Sequence, residues 1–453
     1  MNTNDFSVRI KTYIKKNENR IIQDLADLVA QPSISSTSEG VEQCCHWIVE
    51  RMDKIGLNPT VYPIKPHPTI VGKIGNDPKK KTVLIYAHYD VQPRGKLEEW
   101  KTPPFEPTIV NGIMYGRGTA DNKGPLMAHL NAIEFWLKEY GELPVNIKTI
   151  FEGSEESNSE GLPEFLRDNQ ELLKADLVYF CDGSKNHNDQ PIIALGVKGM
   201  LYVELILTTM KRNVHSQYAP VLPSAAWELV RLLNQLCSEN GVVNIPGFYD
   251  DIVEPTEQER EIYRSLPDVR NNIYDSYGTY PIYPEEEGYY LHLNGTPSFN
   301  ISGLSSGYTG KGTATVLTSE ASCKIDMRLV AHQDGNKILK NLKQYICDLG
   351  YKNVTVICHG NTPAAKTPVD TPWLEPIKEA TREVFGKYMI YPNRPSTAPD
   401  YLWSNILGIP TIQVRWCDAT SDNHAPNEHL TLSNYLQGME LTATVLKKVA
   451  EMK

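Results

Sequence analysis

Several short segments of the 453-residue chain place imidazoles and carboxylates directly after apolar runs. His88-Tyr89-Asp90 follows Thr82 to Ala87, Glu152-Gly-Ser-Glu155-Glu156 follows Asn146 to Phe151, and Cys181-Asp182-Gly183 follows Leu177 to Phe180. Asp121 ends the stretch Gly-Arg-Gly-Thr-Ala-Asp just ahead of a helix-like segment, and Asp418, Asp422, His424 and His429 share a loop after Thr411 to Val414. Two imidazoles and three carboxylates can bind two divalent metal ions about 3.5–4 Å apart when one carboxylate bridges them. Asp121, at a loop-to-helix junction, is the candidate bridge. Asp90 lies two residues beyond His88, so on an extended segment its carboxylate can orient the imidazole. Glu155 and Glu156 are adjacent and point in different directions, so one can coordinate a metal while the other accepts a proton from water. Singly, each has a simpler account: a hydrogen-bonded loop histidine, a solvated glutamate pair, a helix N-cap at Asp121, a turn residue before Gly183. Their arrival at one edge is what favours chemistry.

That shared edge depends on the elements behind it. Up to about residue 195 helices and strands alternate: Ile21 to Ala30 and Val41 to Ile55 have apolar residues at helical spacing, the three runs above read as strands, and Gly124 to Leu137 reads as a helix opened by Gly-Pro. Such alternation predicts an α/β fold with a mostly parallel sheet covered by helices, whose ligands bind beyond the carboxyl ends of the strands. From about Gly199 the texture changes. Strand-like Leu201 to Thr209, a helix over Ser224 to Cys237, strand-like Ala321 to Val330 and a helix over Asn336 to Leu349 predict an inserted α+β unit. Its Tyr-, Pro- and Glu-rich stretch from Tyr249 to Tyr290 matches no element clearly. The α/β texture resumes near Thr367, with a helix over Pro372 to Phe385, a strand over Thr411 to Val414 and a helix over Leu432 to Val449. The expected domains are therefore 1–197 with 364–453, and 198–363.

Hydrophobic residues make up 40% and charged residues 22%, a soluble globular balance. Lys+Arg 45 against Asp+Glu 55 gives a formal charge of -10, which disfavours nucleic acid and anionic membrane surfaces as partners. The first residues lack the apolar core of a secretory signal, and no run of eighteen uncharged apolar residues follows, so the expected compartment is the cytoplasm. The 8 cysteines are scattered without a CxxC pair and are expected to be reduced, Cys181 serving structure.

The segments AHYDVQP, GRGTADNKGP, EGSEESNSEGL, FCDGS, NVHSQY, DMRLV and NHAPNEH occur in an order that resembles a two-metal peptidase family. That family contains cytosolic nonspecific dipeptidase, carnosinase, carboxypeptidase G, aminoacylase and succinyl-diaminopimelate desuccinylase, and the HYDVQP form is most similar to its dipeptidase branch. The resemblance implies that Asp121 bridges two metals, His88 and Asp182 complete one shell, and Glu156 and His424 the other. It makes Glu155 the general base and then acid, with Asp90 behind His88, and it favours His424 over His429 through the His-Ala-Pro-Asn-Glu position. It further implies that the insertion is a lid and dimerisation domain of a homodimer, with His215 reaching the partner subunit's active site to stabilise an oxyanion. Arg328, a charge inside a strand pattern, would hold a substrate carboxylate through its planar fork. Thr315 and His359 fall near family substrate contacts. Where the dipeptidase branch has Gly-Gly-Ser, this chain has Arg394-Pro-Ser396-Thr397; Ser396 is the expected substrate-facing hydroxyl, and Pro395 offers no N–H. The expected activity is hydrolysis of the amide bond of a dipeptide or similar small substrate with a free carboxylate, through a metal-bridging hydroxide. Zinc suits the mixed N/O shell, with manganese the alternative. The competing readings are an N-acyl or N-succinyl amino acid amidohydrolase and a silent metal-binding relative, against which the intact Glu155-Glu156 pair argues.

Overall fold

Four apolar runs, Thr82–His88, Asn146–Glu152, Leu177–Phe180 and Thr411–Arg415, become the parallel centre of an eight-stranded sheet in the computed structural model, which describes residues 3–284 and 287–452. Their residues are almost all buried, as expected where helices cover both faces. Thr69–Ile74 and Thr60–Tyr62 extend one side in antiparallel pairing; Ile192–Ala194, antiparallel to Thr411–Arg415, and Met389–Tyr391 extend the other. Helices Thr3–Val29, Val41–Lys54, Lys123–Tyr140, Leu374–Phe385 and Leu432–Ala450 belong to the same unit. Lys123–Tyr140 and Leu432–Ala450 pack together in the interior, where Trp136 Nε1 donates to the Ala443 carbonyl at 3.2 Å and His129 Nδ1 lies 3.0 Å from Thr442 Oγ1.

The sequence reading missed the flanking strands. Most are three residues long, too short to show a period. It also began the first helix too late: Phe6, Ile10, Tyr13 and Ile14 are buried at helical spacing among lysines and asparagines. Among the described residues no helix is long and apolar enough to cross a membrane.

The second unit comprises 196–366 and 393–401. Its four-stranded antiparallel sheet runs in the order Ser298–Ser306, Glu320–Leu329, Gly199–Thr208, Val354–Thr362. Burial alternates residue by residue along the two central strands, so one face is covered. Leu201, Val203, Leu205, Ile325 and Met327 on that face pack with Leu229, Leu232, Ile338 and Leu342 from helices Ala225–Leu236 and Gly335–Asp348. The unassigned stretch contains short helices Glu257–Arg264, Arg270–Tyr277 and Tyr289–Gly295, the first opened by a Thr256/Glu259 capping box. Residues 393–401, expected with the α/β domain, cluster instead with this unit: Asn393 Nδ2 donates to the Asn294 carbonyl at 3.1 Å and Arg394 N to the Gly196 carbonyl at 2.9 Å.

Candidate metal centre

His88 ends a central strand with its side chain buried, and Asp90 beyond it is fully buried. The Asp90 carboxylate accepts the backbone N–H groups of Glu155 at 3.1 Å and Glu156 at 3.0 Å, while His88 Nδ1 lies 3.1 Å from the Asp90 carbonyl and 3.5 Å from its carboxylate. One acid thus orients the imidazole and fixes the turn that presents both glutamates. Asp121 sits at the entrance to Lys123–Tyr140, across a cis peptide bond to Asn122, whose amide donates to the Cys181 carbonyl at 2.8 Å and ties this loop to the strand end carrying Asp182. Two glycines are required here. A Cβ at Gly124 would lie 2.1 Å from the Thr119 carbonyl oxygen, and one at Gly183, where φ is +92°, would lie 2.5 Å from Arg415 Nε.

These loops bring the groups together. His88 Nε2 is 3.1 Å from Asp121 Oδ1 and 4.0 Å from Glu155 Oε2; His424 Nε2 is 3.0 Å from Asp121 Oδ2 and 3.4 Å from Glu156 Oε2. Ligand atoms of His88, Asp121 and Asp182 all lie within 4.8 Å of one another, as do those of Asp121, Glu156 and His424. Asp121 belongs to both sets, and Glu155 to neither. Gln92 Nε2 steadies Glu156 at 2.8 Å and Asn423 Nδ2 steadies Asp121 at 3.2 Å. Glu156 Oε1 is buried and makes no hydrogen bond, which is costly unless a ligand meets it, and His88 Nε2 is buried with the Asp121 carboxylate before it. Two imidazoles and three carboxylates that share one acid fit two divalent cations.

The electrostatics agree. Burial, reinforced by Asp182, Glu156 and Asp121 against the opposing His88, pushes the Glu155 carboxyl well above the usual range. Burial and then Asp121 push Glu156 up to about 7. Burial would also raise Asp121, yet its bonds to His424 and His88 hold it below the ordinary value. The Asp121 bond raises His424 to about 9, and Asp121 and Asp90 lift His88 against its own burial. Protons shared among so many acids and imidazoles are what bound cations displace.

His429 points elsewhere: its ring packs 5.3 Å from that of Tyr115 and Nδ1 lies 2.9 Å from the Asn427 carbonyl. Cys181 Sγ meets the Tyr179 hydroxyl at 3.3 Å and joins neither ligand set. The remaining predicted residues belong to the second unit. His215 Nε2 is 3.1 Å from Thr315 Oγ1, both residues exposed; His359, also exposed, is 2.8 Å from Glu204. Arg328 donates to the Thr397 hydroxyl at 2.6 Å, whereas Ser396 is exposed, so the hydroxyl beside the guanidinium is Thr397's rather than Ser396's. Sequence reading also missed Gln92, Arg117, Asn423 and Glu428. Arg117 and Glu428 were within reach, since both are charges inside the segments GRGTAD and NHAPNEH already singled out.

Residues 84–448 match the family model described as Peptidase family M20/M25/M40. Over 97% of its length the chain is 29% identical to a Cys-Gly metallodipeptidase of Schizosaccharomyces pombe, covering 97% of that protein. It is 30% identical to the Beta-Ala-His dipeptidase of Homo sapiens, over 85% of this chain and 78% of the relative. A solved M20 family metallo-carboxypeptidase from Sulfolobus solfataricus superposes with a TM-score of 0.85 at 35% identity, covering 95% of this chain and 99% of that one.

Proposed function

The chain belongs to peptidase family M20/M25/M40, and from that premise we propose that it is a two-metal dipeptidase acting on small peptides with a free C-terminal carboxylate. The observation that carries this reading is the pair of ligand sets sharing Asp121, with Glu155 beside them and uncommitted to either. His88, Asp121 and Asp182 would hold one cation, and Asp121, Glu156 and His424 the other. Bound there, two such ions supply Lewis acidity to the scissile carbonyl and to the attacking water. Glu155 takes a proton from that water as it attacks and returns it to the departing amine. The raised affinity of its buried carboxyl for a proton suits both halves of that task. Asp90 keeps His88 and the glutamate turn in register throughout. Arg328, with the Thr397 hydroxyl beside it, pairs with the substrate carboxylate, and His215 stabilises the oxyanion from the partner subunit of a homodimer. Thr315 holds the His215 ring, and His359 contacts the substrate's remainder. Zinc is the proposed ion, because two imidazoles enter the shells, and the cytoplasm the proposed compartment.

Names of the relatives support the substrate class: two are dipeptidases and one is a metallo-carboxypeptidase, and both activities require a free carboxylate beside the cleaved bond. The test is a cleavage screen of zinc-loaded protein against dipeptides, tripeptides, longer peptides and N-acyl amino acids, with Glu155→Gln as the blank. Turnover of dipeptides that the blank lacks is expected. Turnover confined to longer peptides or acyl amino acids, or equal turnover by the blank, overturns the proposal. Mixing Glu155→Gln with His215→Ala subunits should restore activity through hybrid dimers; no recovery removes the partner-subunit role of His215.

A further inference from the structure

The two ligand sets are anchored differently. His88 ends a strand hydrogen-bonded on both sides, and Asp182 follows the strand Leu177–Phe180 directly. His424 instead projects from a loop, with a side chain 55% exposed and with φ values of +53° at Asp422, +63° at His424 and +68° at Asn427. Non-glycine residues adopt that region only when their surroundings impose it. Asn423 holds the Asp121 carboxylate, and what ties this loop to the Asp121 backbone is a group none of the catalytic roles uses.

Glu428, four residues after His424, is fully buried. Its Oε1 accepts the backbone N–H groups of Ala120 at 3.1 Å and Asp121 at 3.0 Å, and its Oε2 accepts Arg117 at 2.6 Å. Arg117, also buried, donates to the Pro93 carbonyl at 3.0 Å, and the Gly116 N–H returns to the Glu428 carbonyl at 3.0 Å. One carboxylate therefore clamps the backbone of the bridging acid to the loop that delivers the most exposed ligand. Arg117 supplies the counter-charge that lets this anion sit beside Asp121. We infer that Glu428 is a positioning residue that sets the affinity of the Asp121–Glu156–His424 half of the centre, with Arg117 as its support. This rests on the two-metal reading above. Groups behind a metal shell typically alter affinity by about 10–100-fold, and here the change falls mainly on one ion of two: Asp121 is common to both sets, but His88 and Asp182 sit at strand ends outside the clamp, whereas His424 comes from the loop that Glu428 holds.

The experiment titrates metal-free protein with zinc against a competing chelator, without substrate. For Glu428→Gln one zinc should stay within about threefold of wild type and the other should lose about 10–100-fold. Because that variant leaves Arg117 buried without its partner, the double variant Arg117→Gln with Glu428→Gln is titrated too, with the same split expected. The melting temperature of each metal-free variant is measured alongside. Two unchanged affinities, or two that fall alike, overturn the inference; so does a lowered metal-free melting temperature with both affinities intact, the signature of a merely structural pair. Wild-type protein that binds fewer than two zinc ions would instead overturn the two-metal reading, and two zinc ions without turnover would overturn the dipeptidase proposal alone.

Discussion

The chemistry-bearing groups of the two units are held in opposite ways. In the first unit they are, His424 apart, largely buried and fastened to backbone: Asp90 grips the N–H groups of Glu155 and Glu156, and Glu428 grips those of Ala120 and Asp121. In the second unit His215, Thr315 and His359 are exposed and held by few contacts, His215 by the Thr315 hydroxyl and the Gln217 N–H, and His359 by Glu204 and the Tyr202 ring. The contrast follows from the work proposed for each. Charges that must face developing charge gain from a dry, fixed setting where nothing reorganises during reaction. Groups that receive a substrate need access and a little freedom. Substitutions in the first unit, and at His215 with its proposed oxyanion role, should therefore act on kcat, and those at the other second-unit groups on KM, in graded amounts.

The sharpest break is Glu155→Gln, which keeps shape and burial but cannot take a proton. A kcat loss of about 10²–10⁴-fold is expected with both zinc ions retained, as positioned proton transfer typically contributes that much. Metal analysis beside steady-state kinetics decides it: loss of zinc together with activity would make Glu155 a ligand and erase its separation from the two shells.

Arg328→Met carries the comparison into the second unit. A hydrogen bond to a charged group is worth about 1.5–3 kcal/mol, so kcat/KM for dipeptides should fall roughly 10–150-fold, mainly through KM. A fall confined to kcat would place the guanidinium in the chemistry. Substrates whose carboxylate is amidated should be poor for wild type and no worse for the variant.

The same contrast explains what could be read from the sequence. His88, Glu155, Glu156 and Asp182 follow apolar runs long enough to declare strands, and the end of a strand in a parallel sheet has a fixed meaning; those candidates were legible on that ground, Asp121 from its loop-to-helix junction, and His424 over His429 only through the resemblance of its His-Ala-Pro-Asn-Glu segment. The central strands and the long helices were legible for the same reason of length. Glu428 and Arg117 stood in view as charges inside GRGTAD and NHAPNEH, but their roles were not legible, because a clamp on backbone amides leaves no spacing pattern. The second unit was harder. Arg328 stood out as a charge in a strand, but its neighbour Thr397 comes from 69 residues further on, and nothing local distinguishes Thr397 from Ser396. The flanking strands and the short helices of Glu257–Gly295 are set by their neighbours rather than by their own periodicity.

Buried bases give the units separate pH signatures. Burial pushes His129 in the first unit down to about 3 from 6.5, and Lys198 in the second down to about 8 from 10.5. In each case the folded state favours the neutral base and the unfolded chain takes up the proton. Stability tied to His129 is thus complete above pH 6.5 and is lost as pH falls towards 3, by up to about 1.4 kcal/mol per pH unit. Lys198 has its window at about pH 8–10.5, where stability of the second unit rises with pH. Denaturant unfolding at several pH values should show a shallower acid limb in His129→Gln than in wild type, with the alkaline limb unchanged. Parallel acid limbs would mean that His129 is charged or solvated in the folded protein.

The smallest effect tests the finest point of the second unit. Thr397→Val is nearly isosteric and removes only the hydroxyl that accepts from Arg328 at 2.6 Å. A hydrogen bond to a charged group is worth about 1.5–3 kcal/mol, but here it only positions the guanidinium, whose pairing with the substrate survives, so KM should rise less than in Arg328→Met, by about twofold to tenfold, with kcat held. Ser396→Ala removes an exposed hydroxyl one residue away and should leave both parameters within about twofold of wild type, as surface substitutions usually do. If Ser396→Ala proves the more damaging, the guanidinium exchanges its partner when substrate binds, and the Arg328–Thr397 bond belongs to the resting enzyme alone. If both are silent, Arg328 recognises the carboxylate without help, and the Arg-Pro-Ser-Thr segment serves only to shape the turn that Pro395 stiffens.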